Sequence, residues 1–102
     1  MFSFLGFGKS KLKEALKNGA VIIDVRTPHE FDRGKIPGSI NIPVDRMSIS
    51  IERIKAINKP VIVCCSSGMR SGSAKQILNK AGIQNVLNGG SWENVLKVYK
   101  QI

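Results

Sequence analysis

A chain of 102 residues with 42% apolar and 23% charged side chains has the composition of one folded domain, residues 1–102, and is too apolar for disorder. Its 16 basic and 7 acidic residues leave a net charge of +9, a surface suited to small anions or acidic partners. Nucleic acid and membranes are not expected as partners: no basic stripe carries interleaved aromatics, and no apolar run approaches a bilayer span.

The opening Met1–Gly8 is apolar but has no basic stretch ahead of it and no small-residue cleavage site behind it, so no secretory leader is expected. Ser10 is placed to cap a helix reaching Asn18, with Leu12, Ala15 and Leu16 on one face and Gly19 as its stop. Val21-Ile22-Ile23 reads as a buried strand ending at Asp24-Val25-Arg26. Thr27-Pro28-His29-Glu30 has capping-box spacing with proline at the first helical position, and Gly34 stops that short helix. His29 is read there as an exposed helix residue rather than a base. Ile36-Pro37-Gly38 turns the chain into a brief strand, Ser39 to Ile42.

Ser48 to Ile57 is read as a helix with Ile51 and Ile54 inward, although its β-branched residues resist that conformation. Val61 to Cys64 is the next strand. After a loop, Ala74, Ile77, Leu78 and Ala81 recur at helical spacing until Gly82. Asn85-Val86-Leu87 makes a last short strand, and Asn88-Gly89-Gly90 a turn. Ser91 then caps a helix whose Trp92, Val95, Leu96 and Tyr99 share a face. Strands alternating with helices predict an α/β fold with a parallel sheet covered on both sides.

The chemistry concentrates where the strand Val61–Cys64 runs into Cys65-Ser66-Ser67-Gly68-Met69-Arg70-Ser71-Gly72. Ligands of open α/β sheets gather beyond the carboxyl ends of the strands, which is where both cysteines fall. Adjacent strand residues point to opposite faces, so one thiol packs into the core and the other faces the loop. Counted from Cys65, Gly68 sits three positions on and Arg70 closes a six-residue loop. Counted from Cys64, the loop to Arg70 has the gross spacing of a phosphatase, but Ser67 stands where the glycine is wanted. Cys64 is therefore read as a small buried apolar residue and Cys65 as the nucleophile.

Loop amides and a following helix N-terminus should depress the Cys65 pKa and stabilise a persulfide or a departing oxyanion. Arg70 could grip an oxyanion bidentately or hold the loop in a salt bridge. Ser66, Ser67 and Ser71 either hydrogen-bond a bound group or keep the loop compact. Two adjacent cysteines and a single histidine make neither a disulfide framework nor a zinc site, and a disulfide between neighbours would strain the peptide. No metal or cofactor is expected. Free thiols suit a reducing compartment, and a cytoplasmic location is the expectation.

Two segments resemble the rhodanese family of sulfurtransferases. One is Asp24-Val25-Arg26-Thr27-Pro28-His29-Glu30-Phe31 through Gly34-Lys35-Ile36-Pro37-Gly38-Ser39-Ile40-Asn41-Ile42-Pro43; the other is Cys65 through Arg70. The likeness runs from about Leu12 to the last helix. It implies a rhodanese-like parallel sheet of about five strands flanked by helices on both faces. It also implies that Cys65 accepts a sulfane sulfur from a small anionic donor such as thiosulfate, or from a persulfide. The sulfur then passes to cyanide, a small thiol or a protein thiol.

In the family a six-residue loop accompanies sulfur transfer, and phosphatases and arsenate reductases have one residue more. By this resemblance Ser66, Ser67, Gly68, Met69 and Arg70 are the substrate-binding loop. Asp24 and Arg26 match the motif that supports it, either touching substrate or pairing locally, with Ser71 as a further support. A sulfur-carrier or regulatory module that docks to a protein partner, with weak thiosulfate turnover, is the alternative. Two departures stand out: Lys35 replaces the histidine of many members, and Trp92 follows Gly89-Gly90 closely, so the last helix is expected to dock differently.

Overall fold

Three apolar runs and one short segment pair into a single sheet in the computed structural model, which describes the backbone of residues 3–102 and the side chains of residues 9–102. The opening run read for a leader thus lies largely outside the described residues. The elements in order are α1 (Ser3–Lys17), β1 (Val21–Asp24), α2 (Pro28–Arg33), β2 (Ile40–Asn41), α3 (Ile51–Ile57), β3 (Val61–Cys65), α4 (Met69–Lys80), β4 (Val86–Ser91) and α5 (Trp92–Tyr99). The sheet order is β2-β1-β3-β4, and every pair is parallel. Four strands are found among the described residues where about five were expected. The segment ahead of β1 is the helix α1, so it supplies no further strand.

Side chains alternate between the two faces along the strands as the pleat requires. Ile23, Val25, Val61, Val63 and Cys65 face a layer formed by Met47, Ile54 of α3, and Ala74 and Leu78 of α4. Ile22, Ile62 and Cys64 face Leu12 of α1, Ile36, and Val95 and Val98 of α5. All five residues of β3 are buried, as expected for a central strand covered on both faces.

Local expectations fail where long-range packing overrides them. Ser10 lies inside α1 rather than capping it, because a serine within a helix costs less than about 0.7 kcal/mol relative to alanine. The segment read as one helix over Ser48–Ile57 divides into a 3₁₀ turn at Ser48–Ser50, preceded by another at Val44–Arg46, and then α3. Ile54 is buried and Ile51 packs beside it. On α5, Val98 is buried and Tyr99 lies exposed at the edge of the apolar face.

Asn88-Gly89-Gly90 is strand rather than turn. Pairing of Val63 with Asn88 and of Cys64 with Gly90 leaves Gly89 as an extra residue in β4, the signature of a bulge. A Cβ on Gly89 would lie 2.6 Å from Val95 Cγ2 and 3.0 Å from Ile62 Cγ2, so only glycine lets α5 seat against the sheet. Gly89→Ala is expected to lower stability by about 1–3 kcal/mol through overpacking, measured as a shift of the urea midpoint at constant slope.

Candidate active site

β3 ends at the two cysteines and turns each into a different environment. Cys64 is sealed in the layer of α1 and α5. Desolvation, with the nearby Asp24 carboxylate second, pushes its thiol up to about 12, so it stays protonated and inert. Cys65 lies on the opposite face at the floor of the loop that joins β3 to α4. Both are free thiols, and no bond between them is needed to explain either.

The loop folds back over the Cys65 sulfur because Gly68 takes φ +100°, a left-handed conformation that other residues adopt at a cost. Its N–H then donates to Sγ at 3.0 Å. Gly68 also begins α4, and the Ser71 N–H, in the first turn of that helix, donates to the same sulfur at 3.4 Å. While protonated, Cys65 Sγ donates to Ser71 Oγ at 3.4 Å and Ser71 Oγ donates to Asn88 Oδ1 at 2.7 Å; when the sulfur ionises, the hydroxyl turns its proton to the thiolate. Asn88 is itself fixed by the Gly90 N–H at 3.0 Å and by its own Nδ2 donating to the Gly68 carbonyl at 3.3 Å. Burial alone would raise the Cys65 pKa. Hydrogen bonds from the Ser71 hydroxyl and from the Ser71, Gly68 and Ser67 N–H groups together outweigh it and bring the thiol below its ordinary value.

Ser66, Ser67 and Met69 form the exposed rim, with Met69 80% exposed. Arg70 closes the loop by pairing with Glu30 of α2, Nη1 to Oε1 at 2.8 Å and Nη2 to Oε2 at 3.1 Å. Ser66 Oγ accepts from Arg70 Nη2 at 3.0 Å and lies 3.2 Å from Glu30 Oε2. Glu30 also completes the capping box of α2 expected from the sequence. Its Oε1 accepts from the Thr27 N–H and hydroxyl at 3.0 and 3.1 Å. Arg70 first, and then the Thr27 amide, hold this carboxyl well below the usual range, and Glu30 in turn raises the Arg70 guanidinium.

Asp24 and Arg26 pair in the interior instead of facing the loop opening. Asp24 is fully buried and Arg26 is 4% exposed. Asp24 accepts from the Arg26 N–H at 3.0 Å, from Nε at 2.9 Å and from Nη2 at 2.7 Å. The guanidinium also donates to the carbonyls of Glu30 and Gly34 and lies 4.6 Å from the Trp92 ring centroid. It thereby ties the end of β1 to the middle and the C-cap of α2 and to the start of α5. Trp92 follows the bulge directly because Ser91 both ends β4 and caps α5, accepting from the Asn94 N–H. His29 and Lys35 are exposed, Lys35 lying over the Phe31 ring.

Of the loop residues named from the sequence, Gly68 and Ser71 meet the sulfur, Ser66, Ser67 and Met69 line the rim and Arg70 turns to Glu30, with Asp24 and Arg26 as a buried pair nearby. Glu30 and Asn88 were not singled out for the site. The capping box marks Glu30 in the sequence, but its ion pair spans 40 positions. Asn88 was absorbed into an expected turn.

The fold is thus a parallel α/β sheet with a cradled thiol at the carboxyl end of a central strand. The rhodanese-like domain family matches residues 9–96, and the chain belongs to that family. It is 39% identical over 85 residues to an uncharacterized Bacillus subtilis protein, YqhL, spanning 79% of this chain and 67% of that protein. It is 36% identical over 77 residues to the thiosulfate sulfurtransferase PspE of Escherichia coli, spanning 72% of this chain and 71% of the relative. The solved structure of the human single-domain sulfurtransferase TSTD1 superposes with a TM-score of 0.70 at 27% identity, covering 86% of this chain and 91% of that one.

Two outcomes follow from the geometry. Asp24→Asn leaves the buried Arg26 charge uncompensated and is expected to cost about 3–5 kcal/mol, read from urea unfolding. Because the thiolate is the reactive form, alkylation of Cys65 by iodoacetamide is expected to reach half its plateau rate at a lower pH than free cysteine does. Ser71→Ala removes a donor to that anion and should move the midpoint upward, followed by mass spectrometry across a pH series.

Proposed function

We propose that this protein is a sulfurtransferase in which Cys65 takes up a sulfane sulfur, carries it as a persulfide and yields it to a second nucleophile. The observation that carries the reading is the convergence of the Gly68 and Ser71 N–H groups on one sulfur in a six-residue loop. Such a cradle suits a thiolate, and it suits the anion of a persulfide equally well. The kinship with PspE, a thiosulfate sulfurtransferase, supports the same reading.

With thiosulfate as donor, the Cys65 thiolate attacks the outer sulfur. The new S–S bond forms as the donor S–S bond breaks, and the electron pair leaves on sulfite. Three negative charges enter, and three leave as persulfide anion and sulfite. In the second half, cyanide or a thiolate, small or on a protein, attacks the outer sulfur and Cys65 departs as the thiolate, ready for another cycle. Ser71 and Asn88 orient the donors to the sulfur. Ser66, Ser67, Gly68, Met69 and Arg70 form the surface that the donor meets. Cys64 takes no part beyond packing.

Intact-mass measurement tests this directly. Thiosulfate treatment is expected to add one sulfur atom to the protein, and cyanide to remove it. Cys65→Ala should abolish the adduct and Cys64→Ala should retain it. An adduct that survives in Cys65→Ala would overturn the assignment.

A further inference from the structure

Two guanidinium groups stand next to the sulfur loop, and each is matched by a carboxylate. Arg26 is buried against Asp24. Arg70, the cation of the loop itself, gives its two terminal nitrogens to Glu30 and one of them also to Ser66. Arg70 and Glu30 side chains are each 35% exposed, so a solute can reach the pair. Glu30 is not a loose partner: Thr27 fixes one of its oxygens through two hydrogen bonds, and Ser66 borders the other. The rest of the rim, Ser66, Ser67 and Met69, carries no charge. Each of these two pairs is therefore neutral in itself, in a chain whose net charge is +9.

This pairing bears on the choice of donor. Thiosulfate brings two negative charges towards a thiolate, and only a nearby unpaired cation would offset that repulsion at contact distance. The diffuse positive field of the whole protein acts at long range and is screened by salt. An anionic donor group seeking Arg70 must displace a carboxylate already held bidentately, a strong form of charge-assisted bonding. An alkyl persulfide makes no such demand. The Cys65 thiolate attacks the outer sulfur of R–S–SH, the S–S bond of the donor breaks, and R–S⁻ departs, leaving Cys65–S–SH with the proton on the transferred sulfur.

We infer that Glu30 is a specificity-determining residue: it competes with the donor's anionic group for Arg70 and so turns the site towards persulfides of low charge and away from thiosulfate. This rests on the sulfurtransferase reading above. It assigns to Glu30 a role separate from its capping of α2, and the two roles can be parted chemically. Glutamine also serves at the third position of a capping box, so Glu30→Gln keeps the helix start and removes only the charge.

The experiment compares wild type and Glu30→Gln at fixed ionic strength, with thiosulfate and with N-acetylcysteamine persulfide, an alkyl persulfide bearing no other charged group. The ratio of kcat/KM for thiosulfate to that for the persulfide is expected to rise about five- to tenfold in Glu30→Gln, in the range of one partly exposed ion pair, chiefly through a lower KM for thiosulfate. Circular dichroism accompanies each variant. Should Glu30→Gln prove poorly folded, Glu30→Asp, which keeps a carboxylate at the helix start but shortens its reach to Arg70, is expected to move the ratio the same way by less. A ratio that is unchanged or falls in the folded variant overturns the role of Glu30 while leaving sulfur transfer intact. A wild-type protein that gains no sulfur on Cys65 from either donor defeats both readings together.

Discussion

The site depends on the alternation of side chains along a strand that is covered on both faces. β3 has no exposed residue, so every side chain it carries belongs to one packed layer or the other. Two neighbouring thiols, alike in chemistry, thereby acquire opposite characters. Cys64 is enclosed by aliphatic side chains on one side, where ionisation is resisted. Cys65 projects to the other, where the chain leaves the sheet and must turn into α4. The turn requires the left-handed Gly68, and with it the amide that meets the sulfur. Parallel pairing on both sides of β3 keeps that geometry from slipping, since a shift of one residue would exchange the two cysteines.

Support for the loop comes from both neighbouring strands. From the β1 side, the buried Asp24–Arg26 pair braces α2, and α2 in turn presents Glu30 to Arg70. From the β4 side, Asn88 holds the Ser71 hydroxyl and the Gly68 carbonyl together, one residue before the bulge at Gly89. The loop closes on itself through bonds to the Cys65 sulfur and from Arg70 to Ser66. It is held in place from outside by residues 17 to 40 positions away in sequence. The anion at its floor is stabilised mainly by oriented dipoles, and the charged groups beside it are arranged as closed pairs. Such an arrangement needs little reorganisation as negative charge moves from one sulfur to the next.

Much of this was legible in the sequence because it is local. Strand alternation set the two cysteines on opposite faces, the spacing to Gly68 and Arg70 picked out Cys65, and the Thr27–Glu30 spacing gave the start of α2. The helical period found Ala74 and Leu78 as the inward residues of α4. What was not legible depends on pairings between distant segments. Asn88-Gly89-Gly90 has turn composition, yet hydrogen bonding to β3 draws it into the sheet, and only close packing against Val95 explains why a glycine sits there. Glu30 carried its capping role openly and its ion pair not at all. Ser10 looked like a helix cap because local rules rank serine highly at that position, whereas a helix entering from further upstream has no need of it. The choice between Val98 and Tyr99 on α5 turned on how that helix is rolled against the sheet, which its own period does not fix.

The depth at which Cys65 sits has a mechanical corollary. The residue has no exposed surface, so a reactant reaches its sulfur only when the loop above it gives way. The same folding that tunes the thiol therefore shields it from chance encounters with other thiols.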